Sequence, residues 1–278
     1  MDNRPIGIFD SGLGGLTALS ALQQFLPNED FVFFGDTANI PYGVKDYDTI
    51  NDLAEADIQF LLSQNVKLII AACGTVSSNL SEKTINSLPV PLFTIIEPAV
   101  QAAIKASKNG KIGVLGTSAT IRSDAFHREI QKTDSSITVV QQECPLFVRL
   151  VESGLTSPDD LLTRVVAEDY LSDIRNAGCD VIILGCTHFP HLTEVIRSVV
   201  GSAPILIDSG REAAASAASY LYQHRLLSDD GAGYARYYVS GDPIRFSLLA
   251  SKLLNSDLTD SVISTKDLLI AQVINFNE

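Results

Sequence analysis

The chain is short of positive charge: across 278 residues, 20 lysines and arginines face 33 acids, for a net charge of −13. Such an acidic surface repels nucleic acid and anionic membranes, so neither is expected as the main partner. No apolar run approaches the ~18 to 20 residues that spanning a bilayer requires. The N-terminus passes from Met1-Asp2-Asn3-Arg4-Pro5 straight into the strand-like Ile6-Gly7-Ile8-Phe9, so a cytoplasmic location is expected. Cysteine is scarce too. Cys73, Cys144, Cys179 and Cys186 contain no C-x-x-C pair, which fits neither a zinc knuckle nor a disulfide framework. Nucleotide motifs are incomplete: Gly12-Leu13-Gly14-Gly15 fails as G-x-G-x-x-G because Thr17 takes the third glycine position, and there is no G-K-[ST] triplet. Small residues in this turn are expected instead to let backbone amides approach a small anionic ligand.

What the chain does have is apolar content, 46% of its residues, arranged in short strand-like runs that alternate with helix-like stretches. That alternation predicts a doubly wound α/β fold with mainly parallel sheets. Strands are expected to end at Asp10, Phe34, Cys73 and Leu115, near Val140, and at Cys186 and Ile207, with a further strand over Arg236 to Val239. Helices are expected near 16–26, 48–63, 120–127, 158–176, 209–222 and 243–254, with loops at Asn39 to Gly43 and Asp229 to Gly233. Pro190 suits the first turn of a helix.

The chain also resembles itself. Ile6-Gly7-Ile8-Phe9-Asp10-Ser11 aligns with Ile112-Gly113-Val114-Leu115-Gly116-Thr117, and Ile69-Ile70-Ala71-Ala72-Cys73 aligns with Ile182-Ile183-Leu184-Gly185-Cys186. The common order and similar spacing predict two related α/β domains, 98–207 forming one and 1–97 plus 208–278 the other, with a cleft between them.

In that arrangement each half delivers a thiol at the carboxyl end of an equivalent strand, where open α/β sheets bind ligands. Two thiols flanking one cleft suit proton removal from one face of a carbon and delivery to the other. An inert buried pair is the alternative. Cys144 and Cys179 lack that setting and read as small buried hydrophobes. His188, two residues beyond Cys186, brings an imidazole within reach of the thiol or else caps a helix. Asp10 can act as an acid or base or cap the following helix, and Glu152 can be a last-turn residue.

Taken together, Asp10-Ser11-Gly12-x-Gly14-Gly15-Leu16-Thr17, Gly35-Asp36-Thr37, Pro41-Tyr42-Gly43, Cys73-x-Thr75, Glu152-x-Gly154 and Gly185-Cys186-Thr187-His188 resemble the glutamate racemases of the aspartate/glutamate racemase family. The resemblance runs from about Pro5 to Ala214 in one order. It implies a cofactor-independent isomerase of two α/β domains that converts L-glutamate to D-glutamate for bacterial peptidoglycan. It implies that Cys73 handles the proton on the D face and Cys186 that on the L face. Asp10 would then assist Cys73 and His188 would assist Cys186, with Glu152 a further assisting carboxylate. Substrate-holding roles fall on Ser11, Pro41, Tyr42, Gly43, Gly74, Thr75, Thr117, Thr120 and Thr187. No metal is implied, pyridoxal phosphate has no marker here, and a homodimer is the expected assembly.

One position departs from the family pattern. Where an asparagine usually follows the first cysteine, this chain has Gly74. Losing that side-chain amide costs about 1 to 3 kcal/mol if its partner is left buried and unpaired. This departure keeps open a racemase of aspartate or another amino acid, and a non-catalytic amino-acid-binding relative. A cysteine hydrolase built on Cys186 and His188 is a further possibility, one that leaves Cys73 idle.

Overall fold

The computed structural model describes residues 1–231, 233–254, 257–258 and 261–265. Among the described residues ten strands form two sheets, and every strand pair is parallel. The first half runs β1 (Ile6–Asp10), α1 (Leu16–Phe25), β2 (Phe31–Gly35), α2 (Tyr47–Ser63), β3 (Leu68–Ala71), α3 (Gly74–Asn79), α4 (Glu82–Asn86), β4 (Leu92–Thr94) and α5 (Ile96–Ala106). The second runs β5 (Lys111–Gly116), α6 (Ser118–Ser123), α7 (Ala125–Thr133), β6 (Thr138–Glu143), α8 (Pro145–Glu152), α9 (Leu161–Tyr170), α10 (Ser172–Ala177), β7 (Val181–Leu184), α11 (Thr193–Val200) and β8 (Ile205–Asp208). The chain continues through α12 (Ser209–Gln223), β9 (Ala235–Val239), α13 (Pro243–Leu254) and β10 (Val262–Ser264).

The sheet orders are β10-β9-β2-β1-β3-β4 and β6-β5-β7-β8. Removing the last two strands from the first leaves the same order in both halves. The registers agree as well: Gly7 faces Ile69 across β1 and β3, and Gly113 faces Ile182 across β5 and β7. These are the residues that the internal sequence repeat places in correspondence.

Period-two burial explains why these runs are strands covered on both faces. Ile6 and Ile8 of β1, with Val181 and Ile183 of β7, turn toward one shared apolar core. Phe9 turns toward a second core with α2, while Ile182 and Leu184 turn toward a third with α8 to α11. The shared core joins the two halves through α1, α5 and the alanines Ala213, Ala214 and Ala217 of α12, whose small side chains allow close helix packing.

Several expected helices are interrupted. Asp124, at φ +57°, breaks the stretch through His127 into α6 and α7. The stretch expected over 158–176 begins only at Leu161 and divides at Leu171. Pro190 sits in a short 3-10 turn, Phe189–Leu192, that precedes α11. The tail joins the first sheet, because β9 pairs with β2 and β10 with β9. Ala232 of the expected loop, and the part of the first-domain assignment beyond 265, lie outside the described residues.

Candidate active site

β1, β3, β5 and β7 all end on one cavity of about 420 Å³ between the two sheets. Its wall includes Asp10 and Ser11 after β1, Cys73, Gly74 and Thr75 after β3, and Cys186, Thr187 and His188 after β7. Pro41, Tyr42, Gly43, Thr117 and Glu152 complete the expected set that reaches it. Thr120 does not line the cavity. It lies behind Thr117, joined to it by a 2.9 Å hydroxyl contact, and Thr117 in turn meets Thr75 of the other half at 2.9 Å.

The two thiols have different neighbours. Cys73 caps the start of α3, and its Sγ lies 3.4 Å from the Ser11 hydroxyl. Burial, then the negative charge of Asp10, push the Cys73 thiol up to about 12, so it holds its proton at neutral pH. Cys186 Sγ lies 3.8 Å from Nδ1 of His188, whose Nε2 is 3.3 Å from Oε1 of Glu152. Burial alone would lower the His188 pKa. Its bonds to Cys186 and Glu152, with the charges of Cys186 and Asp10, outweigh that and raise it to about 10. The imidazole is therefore a cation at neutral pH, and the Cys186 sulfur faces it.

Asp10 links the two sides. One oxygen accepts from the Gly12 amide at 2.7 Å and the other from the Thr187 hydroxyl of the opposite half at 3.1 Å. Burial raises its pKa, against the lowering effects of His188 and of these two bonds.

Two glycines allow the halves to meet. A Cβ on Gly14 would overlap Thr187 Oγ1 and lie 2.6 Å from His188 Nδ1. The glycine turn after β1 thus accommodates the opposite half directly. A Cβ on Gly74 would overlap the Gly185 carbonyl oxygen, so a side chain there requires the backbones to separate. The site as it stands has no room for an asparagine at this position.

Tyr42 reaches the cavity with its hydroxyl already engaged, 2.5 Å from Asp36 Oδ2. Any hold it has on a ligand comes from its ring or backbone. Arg149 also lines the cavity, as do Ile40, Val44, Ser118, Pro145, Leu146 and Val148, none of them among the expected site residues. Arg149 had a readable signal, since it lies one helical turn before Glu152 on α8 and so shares its face. The hydrophobic wall residues carried none. Among the described residues no group of three or more His, Cys, Asp or Glu side chains is placed to hold a metal ion.

The family model for Asp/Glu/hydantoin racemases matches residues 18–217. The glutamate racemase of Geobacter metallireducens is 39% identical over 258 residues, which cover 92% of this chain and 95% of that protein. The crystal structure of glutamate racemase from Francisella tularensis in complex with D-glutamate superposes with a TM-score of 0.87 at 35% identity, covering 95% of this chain and 98% of its own. The Thermus thermophilus glutamate racemase, solved with β-chloro-D-alanine, gives 0.85 at 39% identity with the same coverage.

Proposed function

The chain belongs to the Asp/Glu/hydantoin racemase family, and from that membership we propose that it interconverts L- and D-glutamate by proton transfer between the substrate α-carbon and two cysteines. Its similarity to glutamate racemases over nearly its whole length makes it an amino-acid racemase, an isomerase. The observation that carries the mechanistic reading is the arrival of Cys73 and Cys186, from corresponding strands of two similar sheets, on a single cavity.

In the L-to-D direction, the Cys186 thiolate removes the α-proton from one face, with His188 as its counter-ion. The Cys73 thiol delivers its own proton to the other face. The C–H bond electrons pass to the α-carbon and then to the new C–H bond, so no redox change occurs. In the reverse direction the roles exchange. Ser11, Thr75 and Thr117, with the helix-start amides after Cys73, supply donors for the two carboxylates. Donors fixed before the proton moves stabilise the carbanion-like transition state. Asp10 orients the Gly12 turn and Thr187, and Glu152 orients His188.

The proposal extends to a homodimer in the bacterial cytoplasm supplying D-glutamate for peptidoglycan, with domains divided at 97/98 and 207/208. Among the described residues, no helix is long and apolar enough to cross a membrane. Purified protein without added cofactor should change the optical rotation of each glutamate enantiomer toward zero; a folded protein that leaves both unchanged overturns the proposal. Gly74 motivates one second reading, a racemase of aspartate or another amino acid. Turnover across an amino-acid panel separates the two, and a preference for a non-glutamate substrate selects the second.

A further inference from the structure

Helix α2 turns Ile50, Ala54, Ile58 and Leu61 into the core beneath the cavity, and Asp57 is buried on that same face. It is 3% exposed, as is Asp36 at the end of β2. Between them stands Tyr42, 1% exposed, with its hydroxyl oxygen 2.5 Å from Asp36 Oδ2 and 3.4 Å from Asp57 Oδ2. No ion pair joins either carboxyl group to a cation among the described residues.

Counting protons assigns the roles. Asp36 accepts from Asn39 Nδ2 at 3.0 and 2.9 Å, from the Ser240 hydroxyl at 2.5 Å and from Tyr42. Asn39 Nδ2 can only donate and both hydroxyls are able to, so all four contacts are satisfied with Asp36 as the carboxylate. The tyrosine hydroxyl has one proton, and the shorter contact places it on Asp36. The phenol oxygen can then pair with Asp57 only if Asp57 is the donor, a neutral carboxylic acid. Burial, followed by the charge of Asp36, raises the Asp57 pKa well above the usual carboxylate range, outweighing the lowering effect of the Tyr42 contact.

We propose that Asp57 is a positioning residue: as a neutral acid it donates to Tyr42, which donates to Asp36, and this chain holds the Tyr42–Gly43 wall of the cavity in its binding position. Gly43 packs on Thr117 of the other half, since a Cβ there would lie 3.0 Å from Thr117 Cβ. The wall therefore meets both halves, and an error in its placement reaches the substrate. The titratable groups around the chain are Asp36, Tyr42 and, at the ends of β1 and β3, Asp10 and Cys73. All are acids, so ionising Asp57 adds like charge to the group and loosens the wall.

The inference rests on the cavity being the amino-acid site, and its tests separate from that reading. At neutral pH, the infrared difference spectrum between wild type and Asp57→Asn should show loss of one protonated carboxylic acid band. Its absence overturns the proposal whatever the protein's activity. In racemisation assays, Asp57→Leu should raise KM by roughly tenfold, the size of effect expected from one lost buried hydrogen bond, with kcat changed less. Asp57→Asn keeps an N–H donor toward Tyr42 and should stay within about twofold of wild type while removing the rise of KM at alkaline pH. If Asp57→Leu does not fold, Tyr42→Phe takes its place: it should raise KM similarly, and adding Asp57→Asn to it should change nothing further. Wild-type KM in the Leu or Phe variant, or equal damage from Leu and Asn, overturns the proposal.

Discussion

Cys73 and Cys186 end corresponding strands in similar sheets, yet their surroundings differ. Cys73 faces a hydroxyl and a carboxyl group in a buried setting that pushes it up to about 12. Cys186 faces an imidazole held protonated, with a pKa raised to about 10 and a carboxylate behind it. Under the proposed two-thiol mechanism the duplicated scaffold provides the symmetry that inversion needs, and the side chains around each strand end distinguish the two thiols. The next residue along differs as well. Thr187 follows Cys186 and donates to Asp10 across the cleft, whereas the corresponding Gly74 has no side chain and lies against the Gly185 carbonyl.

Removing either thiol tests this comparison most severely. Cys73→Ser and Cys186→Ser should each reduce racemisation by about 10² to 10⁴, the usual contribution of a general acid or base. Near-normal turnover in either variant breaks the two-thiol account. Gly74→Asn comes next. It adds a side-chain amide but forces Gly185 away, and a displacement of that size at the reacting centre is expected to cost ~10²-fold in kcat/KM. Improved turnover would show that the missing amide matters more than the close approach.

His188→Asn should sharpen the asymmetry, lowering kcat in the direction that starts at Cys186 more than in the reverse, by roughly tenfold or more, with compensating changes in KM. In wild type the imidazolium persists below about pH 10, so kcat/KM, which equal enantiomer stability holds the same in both directions, should decline as pH rises through that value, and the variant should lose that limb. Thr187→Val has the smallest expected effect, about tenfold or less, because it removes one hydrogen bond to Asp10. Crystallography of this variant should find the halves unmoved.

Much of this was legible in the residues. Short apolar runs ending in Asp10, Cys73 and Cys186 marked strand ends, and the Ile-rich repeat marked matching positions whose registers agree in the two sheets. The breaks at Asp124 and Leu171 were not legible, because helical periodicity continues through them and tertiary packing decides where the chain turns. The reason for Gly74 was equally hidden, since Gly185 approaches it only in three dimensions. Asp57 left a faint trace as an acid on the apolar face of α2, but its partners Tyr42 and Asp36 come from other elements. Small residues in the Gly12 to Gly15 turn suggest room for an anionic ligand, but the space beside Gly14 is filled by Thr187 and His188.

Two opposed thiols make one demand that a single base shared by both faces does not. With each glutamate enantiomer in deuterium oxide at initial rate, the product should carry solvent deuterium at its α-carbon while recovered substrate stays protiated. Substrate hydrogen carried over into most of the product would contradict the assignment of Cys73 and Cys186 to opposite faces.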